Sequence, residues 1–204
     1  MTKIRQIKTL PYNTVLIQTY SQKSLCDTFL RFQEYYENPK FKQQIFTIGQ
    51  IKNWYSINYG SDTYNRDWSG FNFPSTVLDP FKQGLFDPLI NDEKVLLSLF
   101  KYRNDNFYII GANDESTINH ELSHALYWYN NKYKSQVDNI CKKFSKELLK
   151  SKKYLLSKGY HKSVINDEIQ AYLNDDDDNY LKSNTQNKII LLFNKTHNEY
   201  STSF

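Results

Sequence analysis

The sequence predicts an α+β fold, mainly helical with a small sheet. Three observations carry that expectation. Apolar residues recur at helical spacing over most of the chain, a few short β-branched or aromatic runs read as strands, and Gly and Pro crowd one stretch between residues 58 and 90. With 204 residues the chain is long enough for one domain with a substantial core and short for two, so a single domain, 1–204, with two lobes is expected. The hydrophobic share is only 39%, but the aromatic share is 16%, so Tyr and Phe must supply much of the burial.

The elements follow in order. Val15 to Tyr20 reads as a short strand after the turn at Pro11. Ser24 is positioned to cap a helix from Leu25 to Glu37, whose apolar set includes Leu25, Phe29, Phe32 and Tyr36, and Asn38-Pro39 ends it. A second helix is expected from Ile48 to Tyr55. Residues 58–90 interleave Gly60, Gly70, Pro74, Pro80, Gly84 and Pro88 with Tyr64, Trp68, Phe71, Phe73, Phe81 and Phe86, which predicts an ordered loop packed over the body. Asn91 or Asp92 caps a helix to Lys101, and Phe107 to Ile110 is a strand. Helices are expected from Thr117 to Asn131, from Tyr133 to Leu156 with a stop near Gly159, and from Ser163 to Leu173. Asp175 to Asp178 reads as an acidic loop, Ile189 to Phe193 as a strand or short helix, and the tail after Asn194 as loose.

Composition also bounds the function. A net charge of +4 gives little support to a nucleic-acid or membrane-surface partner. Cys26 and Cys141 are too isolated for a disulfide framework. No apolar run has transmembrane length or follows the N-terminal charges as in a signal peptide, so the expected location is cytoplasmic, with no membrane partner.

One short string carries chemistry: His120-Glu121-Leu122-Ser123-His124. Residues four apart on a helix lie about 40° apart around the axis and one turn apart along it, so His120 and His124 can point at one ion. Glu121, about 100° around from His120, can reach a water bound there without being a ligand. With four His and eight Glu in the chain, an accidental match is expected in roughly three of a thousand such sequences. Ile118, Leu122, Ala125, Leu126 and Tyr129 cluster on the side opposite the two His, which predicts a helix that packs its back into a core. The implied ion is Zn2+.

A catalytic zinc takes three protein ligands and keeps an open position. Downstream candidates for the third are His161, Asp167, Glu168, His197 and the acidic run. Glu168 falls at the edge of the buried face formed by Ile165, Ile169, Tyr172 and Leu173, whereas Asp167 falls on the far side with Gln170 and Asn174. A carboxylate at a buried edge needs a partner, which makes Glu168 the expected ligand.

This pair of helices resembles the gluzincin metallopeptidases, in which two His and a Glu bind zinc and the motif Glu activates water. Asp167-Glu168-Ile169-Gln170-Ala171-Tyr172 is similar to their glutamate-bearing helix, with Ala171 as the small residue that lets the helices approach. The resemblance covers about 30 residues and implies a zincin-like fold with a small sheet beside the motif helix, while the first 100 residues resemble no named peptidase family. Within the single domain, 1–105 is expected to form an upper lobe with the aromatic loop region and 106–175 the metal-site core. It implies hydrolysis of a peptide or protein substrate, with Glu121 as general base and Tyr160, His161 or Tyr172 as candidates to stabilise the oxyanion. Phe107 to Ile110 would pair with an extended substrate. Where thermolysin-like enzymes carry an Asp four residues after the ligand Glu, to support the first His, this chain has Tyr172, so a supporting carboxylate must come from elsewhere or be absent. The rival expectations are a catalytically inactive zinc-binding regulatory or interaction protein, and a nucleic-acid-associated protein supported only by the Lys-rich face between Lys132 and Lys158. Such a face is usually solvated helix surface.

Overall fold

The two runs that read as strands pair with each other, and two further strands complete the sheet around them. The computed structural model describes residues 3–61, 63–174 and 179–201. Its sheet holds β1 (Ile4–Leu10), β2 (Thr14–Thr19), β3 (Gly70–Pro74) and β4 (Tyr108–Ala112) in the order β1-β2-β4-β3. β2 and β4 run parallel at the centre, with Val15 opposite Ile109, while β1 and β3 are antiparallel edges. The fold is therefore α+β, mainly helical with a small four-stranded sheet. β1 escaped the sequence reading because Ile4, Ile7 and Leu10 recur every third residue, matching no strand period. Most of this edge strand is exposed, so no alternation is needed.

A parallel pair needs a long crossover, and here it carries most of the first half of the chain. α1 (Gln22–Glu37) is capped by Ser21, whose Oγ accepts from Ser24 N at 3.2 Å, so Ser24 sits inside the first turn and not at the cap. α2 (Ile48–Tyr59) is one turn longer than expected. Thr47 and Gln50 close a reciprocal capping box, and Gly60 ends the helix in the left-handed region at φ 80°. Residues 58–90 are not a loop. They contain α3 (Tyr64–Asp67), the strand β3, a single 3₁₀ turn (Ser75–Leu78) and α4 (Asp79–Lys82). Gly and Pro do keep each piece short, but Gly70-Phe71-Asn72-Phe73-Pro74 lies at a sheet edge, where its terminal Pro needs no ladder donor. α5 (Asn91–Leu99) is capped by Ile90, one residue before the expected Asn91, with Glu93 Oε2 accepting from Ile90 N at 3.0 Å.

The aromatic residues do carry the core. Phe29 of α1 stacks on Phe71 at 5.5 Å and lies 5.8 Å from Phe73, so the helix is pinned to β3. Gly111 of β4 makes room for that ring: a Cβ there would sit 2.7 Å from it. Phe81 and Phe86 stack at 3.9 Å beside the buried Arg31, which donates to Glu93 Oε1 at 2.6 Å and to the Phe86 carbonyl at 2.9 Å.

The chain divides into two compact units, one up to Thr117 and one from Ile118 onwards. The division falls inside α6 (Glu115–Tyr129), the motif helix, where Asp114 Oδ1 accepts from Thr117 N at 2.9 Å. All described residues of the second unit's regular structure are helical. The expected single helix from Tyr133 to Leu156 is two, α7 (Asn131–Lys143) and α8 (Leu149–Ser157). Asn130 caps α7 by accepting from Lys132 N and Tyr133 N. No Gly or Pro marks the break at 144–148, so the apolar period runs through it; the turn buries Leu148 and leaves Leu149 half exposed. α9 (Ile165–Asn174) follows as expected, and α10 (Asn179–Asn184) is new. The run Asp175–Asp178 lies outside the described residues. α11 (Asn187–Ser201) replaces the expected short element and loose tail, because Ile189, Phe193 and Thr196 give it one continuous buried face. No helix among the described residues is long and apolar enough to cross a membrane.

Candidate metal centre

α6 is not the two-sided helix that its apolar spacing predicts. Glu121, Ser123, His124, Ala125, Leu126 and Tyr127 are all buried, while Tyr129, assigned to the packed face, is 48% exposed. The His face is therefore itself interior: His124 is 2% and Glu121 6% exposed. Ionisable groups taken out of water in this way need partners.

Helical spacing sets the first two. His120 and His124 bring their Nε2 atoms to 3.3 Å from each other. Two nitrogens bound to one tetrahedral zinc at their usual bond length lie about 3.3 Å apart. The third comes from α9, where Glu168 is buried with Oε1 3.8 Å from His124 Nε2. One ligating atom each from His120, His124 and Glu168 fall within 4.8 Å of one another. The expected ligand set is brought together by one turn of α6 and the first turn of α9.

The second nitrogen of His124 tests whether this group suits a metal. Its Nδ1 lies 2.9 Å from Asp167 Oδ1. An Nδ1–H donated to that carboxylate leaves Nε2 as the lone pair facing the other ligands, the usual arrangement for a metal-bound imidazole. Here is the supporting carboxylate that Tyr172 cannot provide. It comes one residue before Glu168 and holds the second His, not the first. The expectation that Asp167 lies on the far side of its helix is corrected: that side, with Gln170 fully buried and Asn174 half-buried, faces the interior. Burial opposes charge on His124, but the carboxylates of Asp167, Glu168 and Glu121 outweigh it and raise its pKa well above the ordinary value. Three carboxylates around two imidazoles make a pocket of negative potential, which fits a divalent cation.

The oxyanion candidates divide. Tyr172 sets its ring across that of His120 at 4.6 Å, and its hydroxyl is 2.9 Å from that of Tyr160. Both tyrosines thus join the group through His120. His161 lies in the turn between α8 and α9, with Nδ1 2.8 Å from Ser163 Oγ. His197, read as part of a loose tail, is held in α11 with its ring 6.1 Å from that of Tyr133.

Sequence reasoning weighed Asp167 only as a ligand and set it aside, and it missed Gln170 altogether. Their signal was present: with Asn174 they form a polar row at i, i+3 and i+7 beside a candidate ligand. Such a row normally marks solvent, and only the burial of the whole helix reverses its meaning. Compared with protein-family models, with curated proteins and with solved structures, the chain matches none.

Proposed function

We propose that this chain is a zinc-dependent metallopeptidase of the gluzincin kind, with a zincin-like arrangement of α6 and α9. The observation that carries the reading is the convergence of His120, His124 and Glu168, with Asp167 fixing the tautomer of His124. His120 and His124 would hold the ion through Nε2, and Glu168 through a carboxylate oxygen. When bound, zinc supplies Lewis acidity, acidifying water and polarising a peptide carbonyl. Glu121, buried beside the ligand pair, accepts the proton of the attacking water and delivers it to the leaving amine. The hydroxyls of Tyr172 and Tyr160, 2.9 Å apart, would donate to the developing oxyanion. The low exposure of Glu121 and His124 keeps bulk water from competing for that proton.

The test is hydrolysis of a mixed peptide library by the zinc-loaded protein, with Glu121→Gln in parallel. Cleavage by wild type that falls about a hundredfold or more in the variant, at equal zinc content, supports the reading. A zinc-loaded wild type that cleaves nothing would favour a catalytically inactive zinc-binding protein.

A further inference from the structure

Gln170 is a neutral amide with no exposed surface, placed in the middle of α9 between two groups that the metal centre uses. Its Nε2 donates to Asp167 Oδ1 at 2.9 Å and to the Ser123 carbonyl at 3.1 Å. The first acceptor is the same oxygen that takes the His124 Nδ1–H. The second is the peptide carbonyl directly preceding His124. One amide nitrogen therefore grips both the backbone from which the ligand springs and the carboxylate that orients its ring. The other end of the amide is satisfied as well: Oε1 accepts from the Tyr133 hydroxyl at 2.7 Å and from Asn174 Nδ2 at 3.3 Å. Tyr133 is itself fully buried on α7.

A glutamine here has a specific chemical logic. A carboxylate at this position would set a second charge against Asp167, and an apolar side chain would leave Asp167 Oδ1 with one donor and the Tyr133 hydroxyl without this acceptor. Only an amide donates toward Asp167 and Ser123 while accepting from Tyr133. Its orientation is fixed by that pattern, since a flipped amide would face Asp167 with an oxygen. Bonds of this kind behind a ligating imidazole typically change metal affinity by about 10–100-fold.

We propose that Gln170 is a positioning residue for the metal centre, acting through Asp167 and the Ser123–His124 peptide to hold His124 in ligating geometry. The inference rests on the zinc reading above but makes a separate demand, that the affinity for zinc depends on a residue that does not touch the ion.

The experiment is a zinc titration of the full chain against a chromophoric chelator, at a temperature where every variant is folded by circular dichroism. Gln170→Met preserves length and removes the amide. Gln170→Glu keeps an acceptor for Tyr133 and Asn174 and replaces the donor toward Asp167 and Ser123 with a carboxylate oxygen, so it serves where Gln170→Met does not fold. Either is expected to weaken zinc binding about tenfold or more. Asp167→Asn is expected to weaken it similarly, and the double variant should lose no more than the weaker-binding single, because one residue acts through the other. A structural role alone would lower the melting temperature and leave the affinity of the folded protein unchanged, and that result overturns the proposal. Fully additive losses overturn it too, by separating Gln170 from Asp167. Absence of zinc binding by wild type would remove the metal reading itself, whereas tight wild-type binding that is insensitive to Gln170 removes only this inference.

Discussion

Glu121 and Asp167 would have different roles in the proposed centre. Glu121 adjoins His120 and His124 on α6, where the proposed hydrolysis would need proton transfer; Asp167 faces the Nδ1 of His124, where it would only orient the ring. The account predicts that Glu121→Gln keeps its zinc and its melting temperature yet loses hydrolysis by about a hundredfold or more. A variant that is unstable but fully active would make Glu121 a structural residue. A different buried carboxylate, Glu34 on α1, carries a pH signature. Burial pushes its pKa up to about 7, against hydrogen bonds from Tyr64 and Asn38 that favour the ionised form. In the unfolded chain it titrates near 4.5, so between pH 4.5 and 7 the folded state binds the extra proton and stability falls as pH rises. The full penalty, on the order of 3 kcal/mol, is present above that window. Urea denaturation should show Glu34→Gln gaining on wild type by about that amount between pH 5 and pH 8. A stability difference independent of pH would show that Glu34 is ionised in the folded protein throughout.

Among the elements, the motif helix, α1 and the central strands were legible in the sequence, because each has a clear apolar period or a fixed residue spacing. α9 was legible only on its apolar side. Asp167 and Gln170 looked like solvent-facing residues because polarity was taken to mean exposure, while a metal pocket needs a polar interior. β1 and β3 were unreadable for other reasons: Ile4–Leu10 does not alternate, and Phe71-Asn72-Phe73 alternates over only three residues between Gly70 and Pro74. α11 was lost because Thr196, a polar residue, completes its buried face. The sheet offers its own test at Gly111, where a methyl group would meet the Phe29 ring at 2.7 Å. That ring is held against Phe71 and Phe73 and has little room to yield. Gly111→Ala should therefore destabilise the protein by about 1–3 kcal/mol, read as a lower urea midpoint. An unchanged midpoint would mean that α1 packs less closely on β4.

At the scale of the whole molecule, the candidate ligands all belong to the unit that begins at Ile118, although its motif helix starts in the unit that holds the sheet. A ligand that binds only the folded state raises its stability by mass action, by about 2.7 kcal/mol at a free concentration of a hundred times Kd. In a chain of this size that corresponds to a rise in melting temperature of roughly 5–10 °C, which EDTA should reverse and Glu168→Ala should abolish. The proposed function rests on the geometry of His120, His124 and Glu168, with Asp167 behind His124. The most direct test is therefore elemental analysis of the protein purified from zinc-replete medium, alongside Glu168→Ala. The account predicts a stoichiometric zinc ion in the wild type and little or none in the variant; a zinc-free wild type, or equal zinc in both, would contradict it.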